Sequence, residues 1–182
     1  MLGYIILAIV VLLAIYLLST YNSLAKLKVR VEEGFSTMDI YLKKRWSLIP
    51  NLVETVKGYM KHEKELLTEL TKLRETSYDK MNMSDKVTSN DKLSHEITKT
   101  MAVAENYPEL KSSSNFIDLS NQLAKIEEDI ANARKYYNGT VRNYNDKIVT
   151  FPSGMIAKLF GFKQEKMFEA STEEREDVNI NI

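Results

Sequence analysis

The sequence predicts an all-α membrane protein, in which an N-terminal transmembrane helix continues into an elongated antiparallel helical bundle of about four helices. Three observations support this prediction. The first 25 residues carry no charged side chain, most of the remaining chain repeats apolar residues at steps of three and four, and its 182 residues include only 6 Gly and 3 Pro. So few helix-breaking residues favour long helices over short strands joined by turns.

The predicted membrane anchor comprises residues 1–21. An unbroken uncharged run extends from Leu2 to Leu18, and a bilayer core of ~30 Å needs ~20 helical residues. Tyr4 and Tyr21 stand near its two ends, where amphipathic rings favour the membrane interface. A cleaved signal peptide would need a basic start and a small-residue cleavage site, neither of which is present. A buried core helix is the third alternative, so the pattern favours a retained anchor.

The basic residues that flank the anchor predict its orientation. None precedes the apolar run, whereas Lys26, Lys28 and Arg30 follow it. Because basic residues accumulate on the cytoplasmic side of membrane helices, the C-terminal body is expected in the cytoplasm.

The predicted bundle spans residues 22–168 and begins with an apolar stripe from Leu24 to Leu42. Pro50 then either kinks this helix or follows a turn at Arg45–Trp46, in which Ser47 caps a new helix. We favour the turn. The second helix carries apolar residues from 52 to 73, and the polar stretch 76–90 is interpreted as a loop.

A third, shorter helix is expected over residues 91–105, and the last long helix has a heptad-like seam from Phe116 to Ile148. The other helices could cover this seam internally, but a coiled-coil homo-oligomer is the rival interpretation. Residues 153–161 form a short amphipathic segment, with Ser153 as its cap and Gly161 at its end. The acidic tail, residues 169–182, shows no periodicity and is expected to be loosely ordered.

Composition excludes several classes of function. There are no cysteines, which rules out disulfides and thiolate chemistry. The 25 basic and 25 acidic residues balance, and the acidic tail leaves only +4 on residues 1–168. That charge is too small and too interleaved with acids for a nucleic-acid surface, so no nucleic acid is expected as a partner.

No catalytic, cofactor-binding or metal-binding residue is predicted, and the chain is not expected to be an enzyme. Each histidine, His62 and His95, lacks both the second histidine of a zinc-protease helix and the preceding glutamate of a di-iron bundle. Glu63 shares an apolar helix face and is expected to form a buried ion pair with Arg45, Arg134 or Lys135.

A tyrosine–asparagine repeat is the other polar feature of the apolar seam. Tyr137-Asn138 and Tyr144-Asn145 lie one heptad apart. The simplest interpretation is core tyrosines whose hydroxyls reach polar partners, and a ligand-binding ladder is the alternative.

Several segments together closely resemble the LemA family of bacterial membrane proteins. They are the uncharged anchor followed by Tyr21-Asn22, RWSLIPNLVETVKGYMKHE at residues 45–63, ENYPELK at 105–111, ARKYYN at 133–138 and YNDKIVTFPS at 144–153. The resemblance implies a single-pass protein of the bacterial inner membrane with a soluble antiparallel helical bundle and no established catalytic activity. Residues 76–90 are more polar than the family pattern, which predicts a shorter second and third helix.

Two functional hypotheses follow. The first is a membrane-anchored helical scaffold that binds unidentified protein partners. The second is a peripheral membrane-remodelling or lipid-sensing module that uses residues 153–162 at the membrane interface.

Overall fold

The computed structural model describes residues 1–60, 62–75 and 77–168, without the side chains of residues 74 and 75. All regular secondary structure in this part of the chain is helical, which confirms the all-α class. Its elements are α1 (Leu2–Ser47), α2 (Ile49–Lys57), α3 (Lys64–Glu75), a 3-10 turn (Tyr78–Lys80), α4 (Met83–Ala104), α5 (Pro108–Lys111), α6 (Ser114–Val149) and α7 (Ser153–Leu159). The predicted acidic tail, residues 169–182, lies outside the described residues.

The chain divides into two compact units, and the long helices α1 and α6 each contribute to both. Among the described residues, the first unit contains residues 1–38 and 133–168, and the second contains residues from 39 to 132.

The first unit is built on an antiparallel pairing of α1 with α6, which is closed by α7. Tyr137 of α6 lies near Gly34 of α1, and Ile148 shares a buried cluster with Leu24. A Cβ at Gly34 would lie 3.1 Å from Thr140 Oγ1, so the missing side chain permits close helix approach. The remaining buried members of this cluster are Val31, Val141, Tyr144 and Ala157.

The second unit packs the end of α1 with α2, α3, α4, α5 and the first half of α6. α2 contacts α3, and α3 contacts α4. Because α2 and α3 are separated by only residues 58–63, the chain reverses direction in that stretch. The predicted single helix over residues 52–73 is therefore wrong, since it is interrupted by this reversal.

The predicted turn at Arg45–Trp46 is also wrong, and the chain only kinks there. Helix α1 continues to Ser47, and Leu48 keeps right-handed helical dihedrals of φ −84° and ψ −13°. The Leu52 N–H bonds to the Leu48 carbonyl at 3.0 Å, so the helical path resumes immediately. Pro50 lies in the first turn of α2, where its fixed φ suits a helix and no N–H is needed for the hydrogen bonds within α2.

The polar stretch 76–90 is not a loop over its full length, because α4 already begins at Met83. The Asn82 side chain accepts a hydrogen bond from the Asp85 N–H at 2.9 Å, which satisfies a free donor of the first helical turn. The third helix therefore starts eight residues earlier than predicted, and the expectation that it is short is wrong.

At the other end of the molecule's sequence, α7 forms where it is predicted, but Ser153 has another role. Its hydroxyl lies 2.7 Å from the Lys147 carbonyl and 3.0 Å from the Thr150 carbonyl, so it caps the end of α6 rather than the start of α7. Gly161 ends the segment with φ +75°, a left-handed conformation that favours glycine.

Candidate functional site

The first 18 or so residues of α1 form an apolar surface that the rest of the described protein does not cover. An 18-residue window of this helix has a mean hydropathy of 2.7, and none of it is buried. A core helix of a soluble protein would be mostly buried, which argues against that alternative. A signal sequence would also have this length and composition.

Helix α7 lies beside the end of this apolar surface. The Phe160 ring is 4.9 Å from the Tyr21 ring, and the Phe162 ring is 5.7 Å from it. On its outer side, α7 exposes Leu159 (73%), while the preceding loop exposes Phe151 (80%). Other large apolar side chains exposed nearby are Val149 and Met155.

The position of residues 151–162 depends on where the chain reverses. If the chain passed Pro50 without a turn and no other reversal followed before α6, these residues would lie away from the apolar start of α1. The structure has the kink, yet Phe160 contacts Tyr21. The reversal at residues 58–63 replaces the predicted turn, so α6 still returns toward the start of α1.

In the second unit, the side chain of Arg45 is buried at 1% exposure and is held by a polar network. Its Nη2 donates to the Asn90 carbonyl at 2.8 Å and to Asn90 Oδ1 at 3.0 Å, and Nη1 donates to Ser94 Oγ at 2.7 Å. Nη1 also pairs with the Glu127 carboxylate on α6. Asn90 is itself fully buried, and its amide donates to the Lys86 carbonyl at 3.0 Å. Arg45 thus joins α1, α4 and α6.

A groove of ≈ 990 Å³ opens beside this network. Apolar side chains from three helices line part of it: Leu73, Ile97, Met101, Leu123 and Ala124. Four acidic residues also line it, namely Glu69, Asp91, Glu96 and Glu127, against two basic ones, Arg45 and Lys92. One carboxylate oxygen of Glu96 is buried without a hydrogen-bond partner among the described residues. The groove therefore combines an apolar surface with an excess of negative charge.

Glu63 is not the buried ion-pair partner that its position in the sequence suggested. It lies in the connection before α3, is half-buried, and accepts a hydrogen bond from the Tyr107 hydroxyl at 3.0 Å. This bond is the main cause that raises the pKa of Tyr107 above its usual value. The expected helix phase assumed one continuous helix, and the reversal before α3 removes that assumption.

A second polar cluster surrounds Asp39 at the start of the second unit. Tyr78 donates its hydroxyl proton to Asp39 Oδ1 at 2.7 Å, and Lys86 Nζ lies 2.8 Å from Asp39 Oδ2. Burial, together with the hydrogen bond to the carboxylate, raises the pKa of Tyr78 far above its usual value. The ring of Tyr78 also lies against Trp46, at 5.6 Å between centroids. These contacts hold the 3-10 turn and the start of α4 against α1.

The tyrosine–asparagine repeat of α6 has a different role for each residue type. Tyr137 and Tyr144 are buried in the first unit, as the simpler interpretation expected. Asn138 and Asn145 bind the backbone of the chain's own segment at Phe168 and Glu165. The two amides therefore bind a segment of the chain itself, and the ligand-binding ladder stays a prediction.

Sequence reasoning did not single out the Arg45 network. Arg45 follows Lys43 and Lys44, and a run of three basic residues usually marks a solvated surface. The helical spacing does indicate that Arg45 is buried, because Arg45 lies three residues after the buried Leu42, on the face of the apolar stripe from Leu24 to Leu42. Within the described ranges, no group of three or more His, Asp or Glu side chains is placed to hold a metal ion.

Comparison with known proteins places these features in a family. The model of the LemA family matches residues 34–182. Protein LemA of Metamycoplasma hominis is 25% identical over 164 residues, which cover 88% of this chain and 74% of that protein. Magnetosome protein MamQ 2 of Paramagnetospirillum magneticum is 33% identical over 69 residues, covering 38% of this chain. The match spans only 25% of the magnetosome protein's length. On the extent of the family match, this chain belongs to the LemA family.

Proposed function

We propose that this protein is a membrane-anchored helical scaffold that binds another protein through the groove beside Arg45. It is a single-pass protein of the bacterial cell membrane, with its body in the cytoplasm and no catalytic role. Family membership and the exposed apolar helix support the membrane association. The names of the matched relatives are not those of enzymes.

The groove is the observation that carries the scaffold proposal. Its apolar side chains would be covered by the apolar face of a partner helix, and its acidic residues favour basic residues flanking that face. The partner expected from this chemistry is an amphipathic helix with a basic border.

Site-specific photo-crosslinking in cells tests this proposal. A photoreactive residue at Thr98, which lines the groove, should cross-link a protein partner, whereas one at Glu54 on α2 should not. Glu69→Lys should reduce the Thr98 cross-link, because it reverses a charge at the groove. Glu54→Lys is the matched control. Equal cross-linking from both positions, or no effect of Glu69→Lys, would contradict the groove as the binding surface.

The second candidate function is a lipid-sensing or membrane-remodelling module, and the position of α7 favours it. Phe151, Met155 and Leu159 are exposed beside the end of the anchor, where an interfacial helix would insert its apolar side chains. Lys158 and Lys163 are close to these side chains in the sequence. Each basic residue near an anionic membrane surface contributes about 1 kcal/mol to membrane binding.

Depth-dependent quenching of the full-length protein in liposomes tests the second candidate. A fluorophore at Leu159 should be quenched by lipid-borne quenchers, and a fluorophore at Gln164 serves as the control on an exposed residue of the following segment. Adding anionic lipid should bring the Leu159 probe deeper if the lysines contribute. A fully aqueous signal from Leu159 would eliminate the interfacial role of α7.

A further inference from the structure

After α7, the chain runs back along α6 as a segment that we call the strap, residues 162–168. Only its two ends are partly buried, through Phe162 and Phe168, which pack against the apolar cluster of the first unit. Residues 163–167 between them are exposed. The strap is therefore held by its backbone and by two rings.

Two asparagines of α6 bind the strap backbone in the same way. Asn138 accepts from the Phe168 N–H at 2.7 Å and donates to the Phe168 carbonyl at 2.8 Å. Asn145 accepts from the Glu165 N–H at 2.9 Å and donates to the Glu165 carbonyl at 2.8 Å. Each amide thus replaces the pair of bonds that a residue of a neighbouring antiparallel strand would make.

The spacing of the two asparagines matches an extended chain. Seven residues of α-helix rise about 10.5 Å, and three residues of an extended chain span about 10 Å. Asn145 and Asn138, seven residues apart on α6, can therefore bind Glu165 and Phe168, which are three residues apart in the strap. Tyr137 adds a fifth bond, in which its hydroxyl donates to the Lys166 carbonyl at 3.0 Å.

This recognition depends little on the strap's side chains. The five hydrogen bonds all involve backbone atoms, which every residue except proline can supply in full. The side-chain contacts are those of its two rings: Phe162 packs against Tyr21, and the Arg134 guanidinium lies 4.2 Å from the centre of the Phe168 ring. The surface formed by Arg134, Tyr137, Asn138 and Asn145 therefore fits an extended peptide with an aromatic residue three positions after the residue that Asn145 binds.

We propose that this surface, the docking strip, also accepts the strap of a second copy of this chain, so that neighbouring molecules exchange residues 162–168. The strap of a second copy has the required sequence by identity, and such exchange of an identical element is a low-cost route to a dimer. The strap has five hydrogen bonds and two partly buried rings but no fully buried side chain, which favours local opening over unfolding of the whole protein. If α1 anchors each copy, as proposed above, the docking strips and straps of all copies lie at the same distance from the membrane. The effective concentration of one copy's strap at another copy's docking strip is then high.

Binding of a labelled peptide, FKQEKMF, to the full-length protein in detergent tests whether the strip accepts a strap in trans. Phe168→Ala and, separately, Glu165→Pro weaken the protein's own strap and should increase peptide binding over wild type. The further substitutions Asn138→Ala and Asn145→Ala remove four of the five bonds to the strap backbone and should weaken peptide binding about tenfold or more. The exposed pair Asn132→Ala and Asn143→Ala is the matched control.

Two modified peptides test whether the backbone is what the strip recognises. Methylation of the Glu165 backbone nitrogen removes the donor to Asn145 and should weaken binding about tenfold. Replacing Lys163, Gln164 and Lys166 by alanine should leave binding nearly unchanged. Binding that ignores the asparagines, or that follows those three side chains, would overturn the docking strip.

Exchange between copies is tested in membranes that hold two differently tagged full-length chains. A photoreactive residue at Met167 should join the two tags, and the double asparagine variant should lose this product. Cross-links found only within one chain would overturn the assignment of a second copy as the occupant. Because this readout requires no other protein and no interfacial helix, its failure leaves the proposed scaffold function standing.

Discussion

At the scale of the residue, both burial and side-chain type distinguish Arg45 from the lysines beside it. Lys43, Lys44 and Arg45 are consecutive, but only Arg45 is buried. Its planar guanidinium donates in several directions at once, which allows it to satisfy both oxygens of Asn90 together with Ser94. A lysine has a single point charge and could not serve these acceptors together.

Arg45→Met should lower the free energy of unfolding by roughly 3 kcal/mol, because it leaves the buried acceptors of Asn90 without donors. Urea denaturation of the full-length protein in detergent, followed by circular dichroism, measures the change. Lys44→Met is the matched control on an exposed neighbour and should change stability by less than about 0.5 kcal/mol. Equal effects of the two substitutions would show that the Arg45 network contributes nothing specific.

Tyr78 predicts a loss of stability at high pH. Burial and the bond to Asp39 raise its pKa in the folded state, whereas in the unfolded chain a tyrosine ionises near pH ~10. The unfolded state therefore releases this proton first, so the stabilisation is complete below pH ~10 and declines as the pH rises above it. Tyr78→Phe should show a shallower decline in denaturation midpoint between pH 9 and 11, and the exposed Tyr136→Phe should retain the full decline.

At the scale of the element, apolar periodicity in the sequence predicts that a helix is present better than it predicts where the helix begins and ends. The seam from Phe116 to Ile148 corresponds to α6, Ser114–Val149, because an unbroken heptad-like pattern predicts one continuous helix. The reversal at residues 58–63 was missed, because Val56, Tyr59, Met60 and Leu66 continue a helical stripe through it. The start of α4 was missed, because a polar exposed helix surface resembles a loop in composition.

Gly154 predicts a steric limit at the junction of α6 and α7. A Cβ there would lie 2.6 Å from the Ile148 carbonyl oxygen, which belongs to the backbone and cannot move away cheaply. Gly154→Ala should therefore destabilise the protein by roughly 1–3 kcal/mol.

Gly139, in the middle of α6, is the matched control, since a Cβ there meets nothing within 4 Å. Gly139→Ala should stabilise the helix by about 0.5–1 kcal/mol through its higher helix propensity. Thermal unfolding of both variants measures the difference. A Gly154→Ala protein as stable as wild type would contradict the tight junction.

At the scale of the whole molecule, the charge on either side of the anchor predicts the orientation in the membrane. Lys26, Lys28 and Arg30 follow the apolar run and no basic residue precedes it. A reporter that is active only in the cytoplasm should be active when it is fused after Ile182. Lys26→Gln, Lys28→Gln and Arg30→Gln together should weaken that preference, and a reporter active only outside the cell would refute the proposed orientation.

The sequence by itself determined the all-α class, the apolar start of α1 and the long seam of α6, since each depends on a local pattern that one helix displays. It also carried the family resemblance, because that rests on short segments in order. Only the tertiary structure decided that Arg45 is buried, that Glu63 bonds to Tyr107, and that Asn138 and Asn145 hold the strap. These contacts join residues 20 to 82 positions apart. Side chains so distant in sequence meet only once the chain has reversed, and the position of the first reversal is what local periodicity left undetermined.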